Sequence, residues 1–254
     1  MVNSQIVLSV EKISKIYESA ESNVHALKNI CFQLRKGEML AIMGTSGSGK
    51  STLLNILGAL DQPSSGKIKL NGIDSNDIFD EPRATDYRRE NIGFIFQNFN
   101  LLKDLSVAEN ITLPLILQKY NSKEIEQKVN EMIELMGLTK WKNHRPVELS
   151  GGQQQRVAIG RAIITTPPII LADELTGNLD FNTSTEVLKV LVDMKKQFTQ
   201  SILLVTHDPL VATYADRVLF FHDGQIIDEY HCSGTGDIEE IMGKFQNILG
   251  KKSV

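Results

Sequence analysis

Apolar residues fall along this chain in two kinds of block. Some are continuous: Met39 to Met43, Ile169 to Ala172, and the run "SILLVT" before His207. Short runs of this kind, ended by polar residues or glycine, read as strands buried on both faces. Others recur at helical spacing. In "SKEIEQKVNEMIELMGL", Ile125, Val129, Met132, Ile133 and Met136 share one face, and the pattern stops at Gly137. That predicts an amphipathic helix whose stripe packs into a core. "DLSVAENITL" starts another, with Ser106 and Glu109 spaced as a capping box. A helical run also follows the Met39 strand as far as Leu60, and "GFIF" before Gln97 reads as a strand. Residues 98–160 therefore read as helical, between strand-rich segments. The tail beyond Tyr230 places Ile238, Ile241, Phe245, Ile248 and Leu249 at roughly helical spacing. The polar loop "YESAESNVH" is expected to be mobile. The expected organisation is a core from 1–97 and 161–230, a helical subdomain at 98–160, and a helical tail at 231–254.

Composition narrows the partners. With 254 residues the chain makes one large domain, or one with a sizeable insertion. Lys plus Arg total 27 and Asp plus Glu 31, a net charge of −4, and Asp86 breaks the set Arg83, Arg88 and Arg89. No nucleic-acid partner is expected from that balance. The opening "MVNSQIVLSVEK" lacks the basic end and apolar block of a signal peptide. The apolar runs fall short of the ~20 residues that cross a bilayer. The chain is expected to be soluble, with any membrane spans supplied by another chain. Cys31 and Cys232 lie far apart without metal-ligand spacing, so they read as free thiols in a reducing cytoplasm.

The candidate chemistry starts at "MLAIMGTSGSGKSTLLNILGAL". A strand leads into Gly44-x-x-x-x-Gly49-Lys50-Ser51, and a helix follows. Gly44, Gly47 and Gly49 let the backbone wrap an anion and turn its N–H groups inward. The helix start adds its positive dipole end. Lys50 supplies a cation for the β- and γ-phosphates, and the Ser51 hydroxyl a ligand for Mg²⁺. The pattern predicts a nucleoside-triphosphate site. It also explains the strand that ends in Asp173 and Glu174. Alone, two carboxylates after an apolar run read as a strand reaching the surface. Beside a P-loop, Asp173 is the candidate that holds Mg²⁺ through its water shell, and Glu174 the candidate that polarises an attacking water. Successive side chains on a strand point to opposite sides, so the pair can do two jobs at one place.

A second glycine-rich turn opens a helix at Ser150-Gly151-Gly152, and its N–H groups make a further anion site. One phosphate chain rarely needs two such sites in one chain; a shared site between two copies accounts for both. Leu149-Ser150-Gly151-Gly152-Gln153, with the order of the other motifs, resembles the signature of ATP-binding-cassette ATPases. The resemblance runs from about Val7 to Asp228. It implies an α/β P-loop NTPase core with a parallel sheet, an antiparallel β subdomain and an inserted helical subdomain. It assigns ATP contacts to Gly44, Ser46, Gly47, Ser48, Gly49, Lys50, Ser51 and Thr52, and in trans to Ser150, Gly151, Gly152 and Gln153. By the same resemblance Gln97 touches Mg²⁺ and the attacking water, and His207 contacts the γ-phosphate. Asp180 crosses the dimer interface, and Tyr17 stacks on adenine; Tyr17 also reads as an ordinary core or surface tyrosine. The cofactors implied are ATP and Mg²⁺. The segment after Gln97, "NFNLLKDLSVAEN", is where such proteins receive their membrane partner. One position departs from the pattern: Leu175 stands where the family has Pro after the Asp-Glu pair, and is expected to let that loop flex.

Single-cassette length without a long coiled-coil insertion sets aside DNA-repair, chromosome-organising and tandem translation-factor cassettes. "ADELTGNLD", with Asn178 in place of a more usual Ser or Gly, and "LPL" at 113–115 resemble the branch serving lipoprotein release, macrolide export and peptide-antibiotic resistance. The partner this implies is an integral-membrane permease of the FtsX/MacB type, holding an ATP-dependent homodimer at the cytoplasmic face of the membrane. An FtsE-type ATPase, which drives a membrane partner mechanically without transport, is the alternative. The tail loosely resembles tails of the peptide-resistance group, and reads equally as a terminal helix packed on its own domain.

Overall fold

The computed structural model describes residues 5–18 and 22–250. Part of the loop expected to be mobile, residues 19–21, and the end of the tail, 251–254, lie outside the described residues. In chain order the strands are β1 (Ile6–Glu18), β2 (Asn23–Arg35), β3 (Met39–Gly44), β4 (Ser65–Leu70), β5 (Ile73–Asp74), β6 (Ile92–Ile95), β7 (Ile169–Asp173), β8 (Ser201–Thr206), β9 (Arg217–His222) and β10 (Gln225–His231). The α-helices are α1 (Lys50–Leu57), α2 (Arg83–Asn91), α3 (Val107–Leu117), α4 (Ser122–Leu135), α5 (Gly151–Ile163), α6 (Phe181–Phe198), α7 (Pro209–Ala212) and α8 (Asp237–Gly250). Among the described residues no helix is long and apolar enough to cross a membrane.

Packing separates the chain into two units. The first takes the described residues up to Tyr87 and from Ser201 onward; the second is Arg88–Gln200. The second is wider than the 98–160 expected from the helical pattern. It includes β6, β7 and α6, because β6 and β7 bond to each other and helix α5 packs on β6.

In the first unit, β3 lies between β8 and β9 and is parallel to both. A strand with neighbours on each side and cover on both faces has no room for polar residues, hence the unbroken apolar run. All of Met39–Gly44 is buried. Met43 pairs with Thr206, so β3 and β8 deliver Gly44 and His207 to the same edge. Helix α1 buries Leu53, Leu54, Ile56 and Leu57. A separate antiparallel sheet runs β2-β1-β4-β5. Its β2 alternates buried Ile30, Phe32 and Leu34 with exposed residues, the period of a half-covered sheet. Buried Arg217 on β9 donates to Glu38 at 2.8 Å and to Glu229 at 3.0 Å, tying β9 to the β2–β3 turn and to β10.

In the second unit, β6 and β7 are parallel, with Ile95 opposite Ala172. A Cβ on Gly93 would fall 2.3 Å from the Ala162 carbonyl, so only glycine lets β6 approach α5 this closely. Helix α4 buries Val129, Met132, Ile133 and the following Met136, with Ile125 half-buried at the edge of the stripe. It ends at Gly137 in the left-handed conformation, φ 65°. The capping box at α3 is formed: Ser106 N–H donates to Glu109 Oε2 at 2.7 Å, and Glu109 N–H to Ser106 Oγ at 3.2 Å. Asn121 and Glu124 make a second box on α4.

Candidate nucleotide site

The first unit holds the P-loop between β3 and α1. Gly47 and Gly49 are left-handed, with φ 79° and 103°. A Cβ on Gly49 would sit 2.4 Å from the Ala26 carbonyl, and one on Gly44 2.3 Å from the Phe221 carbonyl. Nothing lies within 4 Å of a Cβ on Gly47, so that glycine answers to backbone conformation alone. Gly224 N–H donates to the Ser48 carbonyl at 2.9 Å, which fastens the loop to the β9–β10 turn. Ser46 and Gly47 are exposed at the loop's tip, and Ser51 and half-buried Thr52 lie in the first turn of α1. Ser48 Oγ is buried without a hydrogen-bond partner, a donor suited to an incoming anion. Lys50 Nζ is folded onto the loop's own carbonyls, 2.9 Å from Gly44 O and 2.7 Å from Thr45 O. A phosphate chain can take that place, since its oxygens are stronger acceptors for an ammonium.

Tyr17 lies at the end of β1, partly exposed, with its hydroxyl donating to Asp61 Oδ2 at 2.7 Å. Lys15 Nζ stands 4.8 Å from the ring centroid and also binds Asp61 at 2.6 Å. Burial and then the Asp61 hydrogen bond hold the Tyr17 hydroxyl above its usual pKa, with a hydrogen bond to Thr52 acting the other way. The hydrogen bond with Thr52 puts this aromatic beside helix α1 of the P-loop. His207, exposed, follows β8 at the same edge.

The second unit brings Gln97, Asp173 and Glu174 together. Gln97 follows β6 and the two carboxylates end β7, so all three leave the same ends of paired parallel strands. Asp173, Glu174 and Gln97 are half-buried. Glu174 is left-handed at φ 41°, and its carbonyl accepts from Gly177 N–H at 2.9 Å, closing a turn. A residue before proline is driven toward extended backbone, so Leu175 is compatible with the Glu174 conformation. Leu175 is 2% exposed, and its side chain anchors the turn.

Ser150 caps α5: its N–H donates to Gln153 Oε1 at 2.8 Å. Its hydroxyl accepts from Gln153 N–H at 3.4 Å. Gly151 and Gly152 form the first turn, and a Cβ on Gly152 would meet Thr183 at 2.3 Å. Asp180 caps α6, accepting from Thr183 Oγ1 at 2.5 Å and from the amides of Asn182 and Thr183 at 3.1 Å. The Thr183 hydroxyl, then its amide, hold the Asp180 carboxyl below its usual pKa. Two side chains not assigned to the nucleotide also hold the segment from Gln97. Asn178 binds the Gln97 segment, and Arg161 donates to Phe99 O and Asn100 O at 2.9 and 2.7 Å. Asn178 stands out in the sequence only as an unusual residue; its contact is with a residue 81 positions away.

The first unit offers the Ser51 hydroxyl oxygen, and the second, separately, the Gln97 amide and Asp173 carboxylate oxygens. Such hard donors suit Mg²⁺ rather than a softer metal.

The ABC transporter family matches residues 27–177. An ABC transporter ATP-binding protein of Methanocaldococcus jannaschii is 40% identical over 91% of this chain and 100% of its own length. A solved dimer of that cassette, in a post-hydrolysis state with ADP and phosphate, covers 89% of this chain and 99% of its own, with TM-score 0.81. The lipoprotein-releasing ATP-binding protein LolD of Legionella pneumophila is 40% identical over 88% of this chain and 98% of its own length. The macrolide export ATP-binding/permease protein MacB of Mannheimia succiniciproducens is 41% identical over 88% of this chain, and this chain spans 34% of that longer protein.

Proposed function

The chain belongs to the ABC transporter family as an ATP-hydrolysing cassette, and we propose that it dimerises on ATP to drive a separate membrane permease of the FtsX/MacB type. The cargo of that exporter is a lipoprotein, a macrolide or an antimicrobial peptide, and the cassette works at the cytoplasmic face of the membrane. The observation that carries this reading is the P-loop. Its left-handed glycines, buried Ser48 hydroxyl and inward Lys50 form a cradle for a phosphate chain. LolD and MacB support the class of cargo. MacB is an ATP-binding/permease protein, and this chain spans 34% of its length.

In this mechanism Lys50 leaves the Gly44 and Thr45 carbonyls for the β- and γ-phosphates, and the backbone of Gly44–Thr52 encloses them. Tyr17 stacks on adenine. Ser51, Gln97 and Asp173 would hold Mg²⁺, whose charge offsets that of the phosphate oxygens. Glu174 takes a proton from water as the water oxygen bonds to the γ-phosphorus. The bond to the bridging oxygen breaks and ADP leaves with that electron pair. His207 contacts the γ-phosphate and holds it in line. Ser150 to Gln153 cover the phosphate held by a second copy, where a helix start meets a full anion, and Asp180 reaches across the same junction.

The test is Glu174→Gln. The amide keeps the shape but cannot act as a base. With ATP and Mg²⁺ the variant is expected to bind nucleotide, lose nearly all hydrolysis and run as a dimer in light scattering, while protein without ATP runs mainly as a monomer. A variant that stays monomeric at saturating ATP would count against the shared site.

A further inference from the structure

The reading above leaves Asn178 without a role, yet it is bonded to Gln97, which the family resemblance places against Mg²⁺ and the attacking water. Its Nδ2 donates to the Gln97 carbonyl at 3.0 Å and to Asn98 Oδ1 at 3.2 Å. The next residues are held from another direction: Arg161 donates to Phe99 O at 2.9 Å and to Asn100 O at 2.7 Å. Phe99 and Asn100 are left-handed, with φ 60° and 47°. A bulky residue such as Phe99 keeps that conformation only where its surroundings hold it, whereas Asn visits it more readily. The carbonyls of Gln97, Phe99 and Asn100 are thus each bonded by a side chain from outside the segment. On the other side, a Cβ at Gly177 would fall 3.0 Å from Gln97 Nε2 and 3.3 Å from Glu174 O. The Gln97 amide therefore lies on the turn that carries Glu174, with little room for a Cβ between them.

We propose that Asn178 is a positioning residue for Gln97, clamping its backbone so that its side-chain amide stays on the Glu174 turn. The proposal rests on the role given to Gln97 above. A long side chain at the end of a strand has several rotamers. Two constraints reduce them here: a fixed carbonyl at Gln97 and a glycine floor at Gly177. Without the two Asn178 bonds the 97–98 backbone can swing and the amide leaves its station. The P-loop is untouched, so nucleotide affinity is kept. Asn178 also lies between Glu174 and Asp180, so the loop expected to meet the second copy is the loop that sets Gln97.

Asn178→Ala is expected to lower kcat of the purified full chain about tenfold or more, the scale of a small misplacement in an active site, with KM for ATP and the thermal midpoint little changed. Asn178→Asp should be at least as impaired, because a carboxylate would face two acceptor oxygens with no hydrogen to give. The deciding measurement is the double-mutant cycle with Gln97→Ala. A residue that acts through Gln97 adds little once Gln97 is gone, so Gln97→Ala/Asn178→Ala should match Gln97→Ala alone. Asn178→Ala with normal kcat beside an impaired Gln97→Ala would overturn this inference and leave the Gln97 assignment standing. So would a full further loss from Asn178→Ala in the Gln97→Ala background. Normal turnover by Gln97→Ala itself would overturn the Gln97 assignment and this inference with it. If the alanine variant does not fold, Asn178→Asp, which keeps the side-chain volume, carries the same comparisons.

Discussion

Three glycines line the P-loop for three different physical reasons, and alanine at each should cost a different amount. At Gly47 the backbone is left-handed, φ 79°, and an added methyl would meet nothing within 4 Å. Gly47→Ala should lose only the backbone term, about 1–2 kcal/mol. At Gly44 the methyl would stand 2.3 Å from Phe221 O and 2.9 Å from Ser48 Oγ. The first is a main-chain atom of the paired strand β9 and cannot rotate away, so Gly44→Ala should cost about 1–3 kcal/mol of overpacking. Gly49 has both defects: φ 103° and a methyl 2.4 Å from Ala26 O. The two terms together give about 2–5 kcal/mol. Denaturant unfolding without nucleotide should therefore rank Gly49→Ala as the least stable and Gly47→Ala as the mildest. ATP titration adds a second readout. Asn tolerates left-handed backbone better than Ala, so Gly47→Asn should bind ATP more tightly than Gly47→Ala. Equal unfolding midpoints for Gly49→Ala and Gly47→Ala would refute the reasoning, because they would mean that the contact with Ala26 yields at no cost.

His207→Ala should cut kcat sharply with little change in KM, because its contact with the γ-phosphate is expected to act in the transition state; lost ATP binding with kcat preserved would contradict that role. Lys50→Ala and Gly151→Asp chains are each expected to be inactive. Mixed, they should recover part of the activity through the one intact shared site, read by phosphate release, and no recovery at any ratio would count against shared sites that turn over singly. Asp237 accepts from Ser233 N–H at 3.0 Å, Gly234 N–H at 2.7 Å and the Tyr230 hydroxyl at 2.9 Å. The Ser233 amide leads in holding its carboxyl below the usual value, against burial. A depressed folded pKa means that the unfolded chain takes up the proton first. Its contribution is therefore present above about pH 4, the unfolded value, and is lost as pH falls through the folded value. Asp237→Asn should lower the thermal midpoint at pH 7 and flatten the loss of stability below pH 4.

Much of this protein was legible in the chain because its signals are local. A run such as Met39–Met43 announces a strand covered on both faces, and Gly44 to Ser51 announces the loop that follows. Both depend on neighbours a few residues away. The capping box at Ser106 and the stop at Gly137 are local too, and both stand as expected. Tertiary structure decided what depends on distant residues. Gly49 must be glycine because Ala26 and the chain's own φ leave no alternative. Glu174 is left-handed in a turn anchored by buried Leu175, where the pattern alone pointed only to a looser loop. The extent of the second unit followed from β6 bonding to β7 across the helical segment, a pairing that no periodicity encodes. Asn178 was visible as an odd residue in its motif, but its partner lies 81 positions earlier. A hydrogen bond of that kind leaves no spacing in the sequence, since it exists only once two strands have set their ends side by side.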